Sequence, residues 1–73
     1  MNHYIEITIA CADSDMAEVA MAYLADYPFD SFDTEERDET ILLKGYILES
    51  EWLTCQNEAR NVAAEYGHIV EER

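Results

Sequence analysis

The sequence is poor in positive charge. Arg37, Lys44, Arg60 and Arg73 are its only basic residues against seventeen acidic ones, and the formal net charge is −13. A nucleic-acid binder needs Lys and Arg to displace counterions from phosphates, and four scattered cations do not supply them. A polybasic attachment to a membrane surface fails for the same reason. Glycine is equally scarce, with only Gly45 and Gly67. Phosphate-binding loops and dinucleotide folds need several glycines close together so that backbone can approach the ligand, and that spacing is absent. No GxSxG nucleophile elbow occurs either, so the chain by itself reads as non-catalytic. Two cysteines, Cys11 and Cys55, lie far apart and form no CxxC pair. The stretch Met1-Asn2-His3-Tyr4-Ile5-Glu6 has neither the positive charge nor the apolar run of a leader. These features predict reduced thiols, a cytoplasmic location and no membrane span, since no apolar run approaches the ~20 residues a span requires.

What is present suits one small folded domain. Hydrophobic residues make up 49% of the 73 positions, enough to build a core. Residues 1–73 are read as a single domain. A domain of this size hides only about 60% of the surface its unfolded chain exposes, so modest stability is expected.

Tyr4-Ile5-Glu6-Ile7-Thr8-Ile9 alternates cleanly, with Ile5, Ile7 and Ile9 on one side of a strand. Ser14 or Asp15 can cap a following helix, and Asp15 with Glu18 has capping-box spacing. From Met16 to Tyr27, the residues Met16, Val19, Ala20, Tyr23, Leu24 and Tyr27 form one helical stripe, which Pro28 ends. Phe29–Glu35 reads as a solvated edge strand with Phe32 inward, and Glu36–Glu39 as a polar hairpin connection. Thr40–Leu48 is apolar on both sides, as a central strand would be. Ser50 can cap a second helix whose stripe is Trp52, Cys55, Ala59, Val62, Ala63 and Tyr66, with Gly67 as a left-handed terminator. Trp52 reads as a core anchor. His68 begins a short last strand.

The order β-α-β-β-α-β predicts an α+β, ferredoxin-like two-layer sandwich. Its antiparallel sheet should have the first and third strands central and both helices on one face. Ile5, Ile7, Ile9, Ile41, Leu43 and Ile47 should meet the helices. Tyr4, Glu6, Thr8, Leu42, Lys44, Tyr46 and Leu48 should then lie on the opposite, uncovered face, and Tyr4, Glu6, Thr8, Leu42, Lys44 and Tyr46 are the candidate partner-binding residues. An uncovered face and a short edge strand also predict self-association.

Several segments carry a family resemblance: the opening strand Tyr4–Ile9, the Ala-rich first helix, the exit Phe29-Asp30-Ser31-Phe32-Asp33, and Leu43-Lys44-Gly45-Tyr46-Ile47 after an acidic stretch. Over about Tyr4 to Leu48 the chain resembles the N-terminal domain of the bacterial methyltransferases that modify ribosomal protein L-eleven (the PrmA family). The resemblance implies a non-catalytic domain that binds and positions a basic ribosomal protein. A separate domain, absent from this sequence, would hold S-adenosylmethionine and transfer the methyl group. The chain would then be a fragment of a longer methyltransferase, with no catalytic, cofactor or metal residue of its own. An acidic domain suits a basic partner, whose approach it accelerates at low salt.

Other chemistries fit less well. His3, Cys11, Cys55 and His68 are zinc-ligand types without the short-range pairs zinc sites show. Ser14, in an acidic context like that of a phosphopantetheine serine, is explained by helix capping. Glu35-Glu36 and Asp38-Glu39 lack the alternation and glycine of a calcium loop. Tyr4 and Tyr46 could stack nucleobases only with surrounding positive charge, which is missing. Two alternatives remain open: an ACT-like regulatory module, although Cys11-Ala12-Asp13-Ser14 lacks the usual glycine, and an acidic stand-alone interaction domain.

Overall fold

The computed structural model describes residues 3–73. Met1 and Asn2, the first residues of the stretch that lacks the features of a leader, lie outside the described residues. The elements are β1 (Tyr4–Cys11), α1 (Ser14–Leu24), β2 (Phe29–Arg37), β3 (Thr40–Leu48), α2 (Glu49–Tyr66) and β4 (His68–Glu72). The four strands form one open antiparallel sheet in the order β2-β3-β1-β4. The fold is α+β, with β1 and β3 at the centre as the hydrophobic pattern requires.

The β1–β3 register runs without a break from Tyr4↔Leu48 to Cys11↔Ile41. It aligns Ile5 with Ile47, Ile7 with Gly45 and Ile9 with Leu43 on one side. Ile7, Ile9, Leu43 and Ile47 are buried with Ala17, Ala20 and Leu24 of α1 and Trp52, Ala59 and Ala63 of α2. Each fully buried aliphatic side chain contributes about 1.5–3 kcal/mol, so this layer is the main source of stability. The helices meet through alanine and through stacked Tyr23 and Tyr66 rings 5.4 Å apart. Trp52 anchors α2 against the Phe29 ring at 6.4 Å, edge to face, and Phe29 in turn packs on Phe32.

Several local expectations are corrected. The α1 cap is Asp13, whose carboxylate accepts from the Met16 N–H at 2.9 Å, rather than Ser14 or Asp15. Helix α1 ends at Leu24, and its buried line is Ala17, Ala20 and Leu24, leaving Val19 39% and Tyr23 52% exposed. Close helix–sheet approach selects the small side chains over the larger ones beside them. Helix α2 starts at Glu49, following Leu48 without a side-chain cap, so Ser50 lies inside it. Strand β2 extends to Arg37, and the hairpin turns on Asp38-Glu39 alone. Asp38 takes the left-handed φ of 56° that a tight hairpin demands.

Gly67 is not a left-handed terminator either, since its φ is −171°, which any residue adopts. It is required by proximity. A Cβ there would stand 2.7 Å from the Ala10 carbonyl oxygen and 2.8 Å from Ile9 Cγ2. The last strand is short, at five residues, and pairs antiparallel with β1 within the chain. A bulge between Thr8 and Ile9 offsets that pairing. Beyond it, the backbone of Arg73 exchanges hydrogen bonds with Glu6.

Two substitutions separate proximity from backbone strain. Gly67→Ala should destabilise by about 1–3 kcal/mol, because the opposing atom is backbone and cannot step aside. Asp38→Gly should stabilise by about 0.5–1 kcal/mol by removing the left-handed penalty. Urea unfolding of both variants measures the two shifts.

Candidate interaction surface

The register places the candidate residues on a common face. Tyr4 lies opposite Leu48, Glu6 opposite Tyr46, Thr8 opposite Lys44 and Ala10 opposite Leu42. All six candidates therefore share the helix-free side of β1 and β3, although not all present a side chain. Thr8 is only 6% exposed and forms the floor of the face. Tyr4 is half exposed, and its hydroxyl donates to the Asp30 carboxylate at the start of β2. That hydrogen bond is the main reason its phenol is held above the usual tyrosine range. Tyr46 is also raised, chiefly by burial and then by the neighbouring Glu6 charge. Both phenols are neutral under physiological conditions and available as hydrogen-bonding apolar surface.

The flanking strands add residues that the sequence reading did not assign to this face. Arg37 of β2 donates to Glu35 at 2.6 Å, and Lys44 stands 3.6 Å from the same carboxylate. On the other side Arg73 pairs with Glu71. Arg37, Lys44, Glu71 and Arg73, with Glu6, Thr8, Leu42 and Val70, line a shallow basin of about 200 Å³. The β4 bulge accounts for its rim: Glu71 pairs with Thr8 and Ile69 with Ile9, so the intervening Val70 is unpaired and lies 52% exposed. Sequence alternation alone cannot show such an offset.

Charge is thus distributed unevenly. Three of the four basic residues, Arg37, Lys44 and Arg73, border the basin on the open face. The fourth, Arg60, is on α2, where its guanidinium holds both oxygens of Glu72 at 2.8 and 2.6 Å and lies 5.4 Å from the Trp52 ring centre. Four acidic residues with no basic partner among the described residues gather at one end of the sheet. Asp13, Glu36, Asp38 and Glu39, with Ala12, Ser14 and Ile41, line a groove of about 370 Å³ between the β1–α1 connection and the β2–β3 hairpin. A second groove of about 300 Å³ runs beside it between α1 and β2.

The remaining candidate chemistry is dispersed. Cys11 and Cys55 are free thiols, both raised above their ordinary range, first by burial and then by nearby carboxylates. Raised thiols are poor nucleophiles at neutral pH. Among the described residues, no group of three or more His, Cys, Asp and Glu side chains is placed to hold a metal ion. No helix among them is long and apolar enough to cross a membrane. Comparisons with protein-family models, curated proteins and solved structures return no match.

The Arg60–Glu72 pair ties α2 to β4 and sets a pH dependence. Its hydrogen bonds hold the Glu72 carboxyl below the ordinary glutamate value of 4.5. A depressed folded-state pKa stabilises the fold above the unfolded value, and the contribution disappears as pH falls through the folded one. Glu72→Gln should therefore be less stable than the parent at pH 7. The difference should shrink as pH drops below the usual glutamate range, as followed by thermal melts at stepped pH.

Proposed function

We propose that this chain is a non-catalytic recognition domain that binds a basic ribosomal protein of the L-eleven type. It would position that protein for methylation by a separate S-adenosylmethionine-dependent domain, in the cytoplasm. The element order β-α-β-β-α-β and the strand order β2-β3-β1-β4 support assigning the sheet to the ferredoxin-like class. The segments Tyr4–Ile9, Phe29–Asp33 and Leu43–Ile47, which carry the family resemblance, form the central strand β1, the start of β2 and the middle of β3.

The observation that carries the reading is the sorting of charge. The cations are neutralised on the open face or by Glu72, while the end built from Asp13, Glu36, Asp38 and Glu39 is left acidic. Such a surface attracts a basic macromolecule and repels nucleic acid. The grooves are open and shallow, with walls rich in carboxylate, which suits surface docking better than enclosure of a small apolar ligand.

Calorimetric titration of the chain with purified ribosomal protein L-eleven tests the reading. One-to-one binding is expected at low salt, weakening by about tenfold or more between 50 and 500 mM NaCl as screening removes the attraction. An absence of heat or complex at roughly 50 µM protein in low salt would overturn it.

A further inference from the structure

Strand β2 is an edge with a definite outward side. Its nine residues, Phe29–Arg37, pair with β3 on one flank, and no strand among the described residues occupies the other. Across a two-residue turn, the closing pair of a hairpin exchanges its hydrogen bonds, and pairs alternate from there. Counted back from Arg37↔Thr40, the N–H and C=O groups of Glu36, Thr34 and Phe32 point away from β3. The Thr34 N–H is found accordingly, donating to the Asp33 carboxylate at 3.1 Å rather than to another strand.

The two sides of this edge differ in chemistry. Asp33 is paired with Lys44 and Glu35 with Leu42, so both belong to the open face. Thr34 and Glu36 instead line the groove of about 300 Å³ beside Ala17 and Met21 of α1. A strand added to β2 would thus set alternate side chains against Asp33 and Glu35 on one side and, on the other, against a groove that combines Ala17, Met21 and Ile41 with the carboxylates of Glu18 and Glu36. A second copy of this chain is disfavoured as that strand. Edge-to-edge pairing of two β2 strands would bring the acidic set Asp30, Asp33, Glu35 and Glu36 against the same set of the other copy, and like charges across strands are destabilising.

From the free backbone, the alternating surfaces and the charge, we propose that β2 is a docking edge. It takes an extended segment of a basic protein as a fifth antiparallel or parallel strand. The incoming segment alternates basic residues, facing Asp33 beside the Glu35 carboxylate that Arg37 and Lys44 already engage, with apolar residues, facing the groove over Ala17, Met21 and Ile41. Main-chain hydrogen bonds to Phe32, Thr34 and Glu36 hold it, and the alternation selects it. The Asp33 side chain gives up the Thr34 N–H on binding and thereby protects the edge when it is empty. The inference rests on the proposed function for the basic character of the partner and adds the mode of capture.

The test uses the full chain and two seven-residue peptides that alternate lysine and valine. One has an ordinary backbone; the other has the same side chains with alternate amides N-methylated. Calorimetry should show the N-methylated peptide binding about tenfold more weakly or worse, although its charge is unchanged. Thr34→Pro removes one outward N–H at a position where an edge strand tolerates proline, and should cost the ordinary peptide about tenfold in affinity. Equal binding of the two peptides, no binding of the ordinary one, or undiminished binding to folded Thr34→Pro would each overturn the proposal. If Thr34→Pro does not fold, the peptide comparison on the unaltered chain decides the matter. Ribosomal protein L-eleven that binds the unaltered chain and Thr34→Pro equally well sinks the edge mode and leaves the proposed function standing. A backbone-dependent peptide response without L-eleven binding does the reverse.

Discussion

Two helices cover one side of a four-stranded sheet, and the described residues hold no third helix for the other. That constraint organises the molecule. The apolar side chains of β1 and β3 that face the helices form a continuous buried layer, closed by alanines that let the helices come near. The opposite side must then be made tolerable to water while the same two central strands run through it. It is made so by burying Thr8 as a floor, by half-burying Tyr46 and Lys44, and by importing charged pairs from both flanking strands.

The same constraint explains how a chain with so few cations places them. Each exposed ion pair is worth little to stability on its own, typically below 1 kcal/mol. Their positions matter more for the field they leave behind. With Arg37 and Lys44 drawn to Glu35, Arg73 to Glu71 and Arg60 to Glu72, the acid at the hairpin end has no counterweight nearby. Carboxylates left without a partner raise the negative potential of that end, which favours the approach of positive charge and opposes that of negative charge.

Much of this architecture was legible before the coordinates. The alternation Ile5-Ile7-Ile9 and the two-sided apolar run of Thr40–Leu48 identify the central strands, and the stripe through Trp52, Ala59 and Ala63 identifies the buried side of α2. The misreadings have separate physical causes. Asp13, Ser14 and Asp15 are consecutive residues able to cap, and only geometry selects Asp13. In α1 the expected stripe buries Ala20 and Leu24, with Met16 and Tyr27 packed at its border, while Ala17 joins it and Val19 and Tyr23 turn outward, Tyr23 to stack on Tyr66. Gly67 was read for its backbone freedom, whereas its role is to let the Ala10 carbonyl approach. The six candidate residues of the open face were found together because strand parity places them there. Of their neighbours, Val70 escapes because the bulge breaks parity along β4, and Arg37 because Glu36–Glu39 reads as the hairpin connection whereas β2 runs on to Arg37.

That break has a consequence of its own. Val70 is one residue more than β4 needs to match β1, and the bulge absorbs it, so that Ile69 meets Ile9 and Glu71 still meets Thr8. Deleting it would restore an uninterrupted ladder and leave Glu71 opposite Thr8 and Glu72 opposite Ile7, so the clasp between Arg60 and Glu72 would keep its side. What a single surplus valine supplies is therefore an exposed apolar side chain on the rim of the open face, set there without disturbing how α2 is fastened.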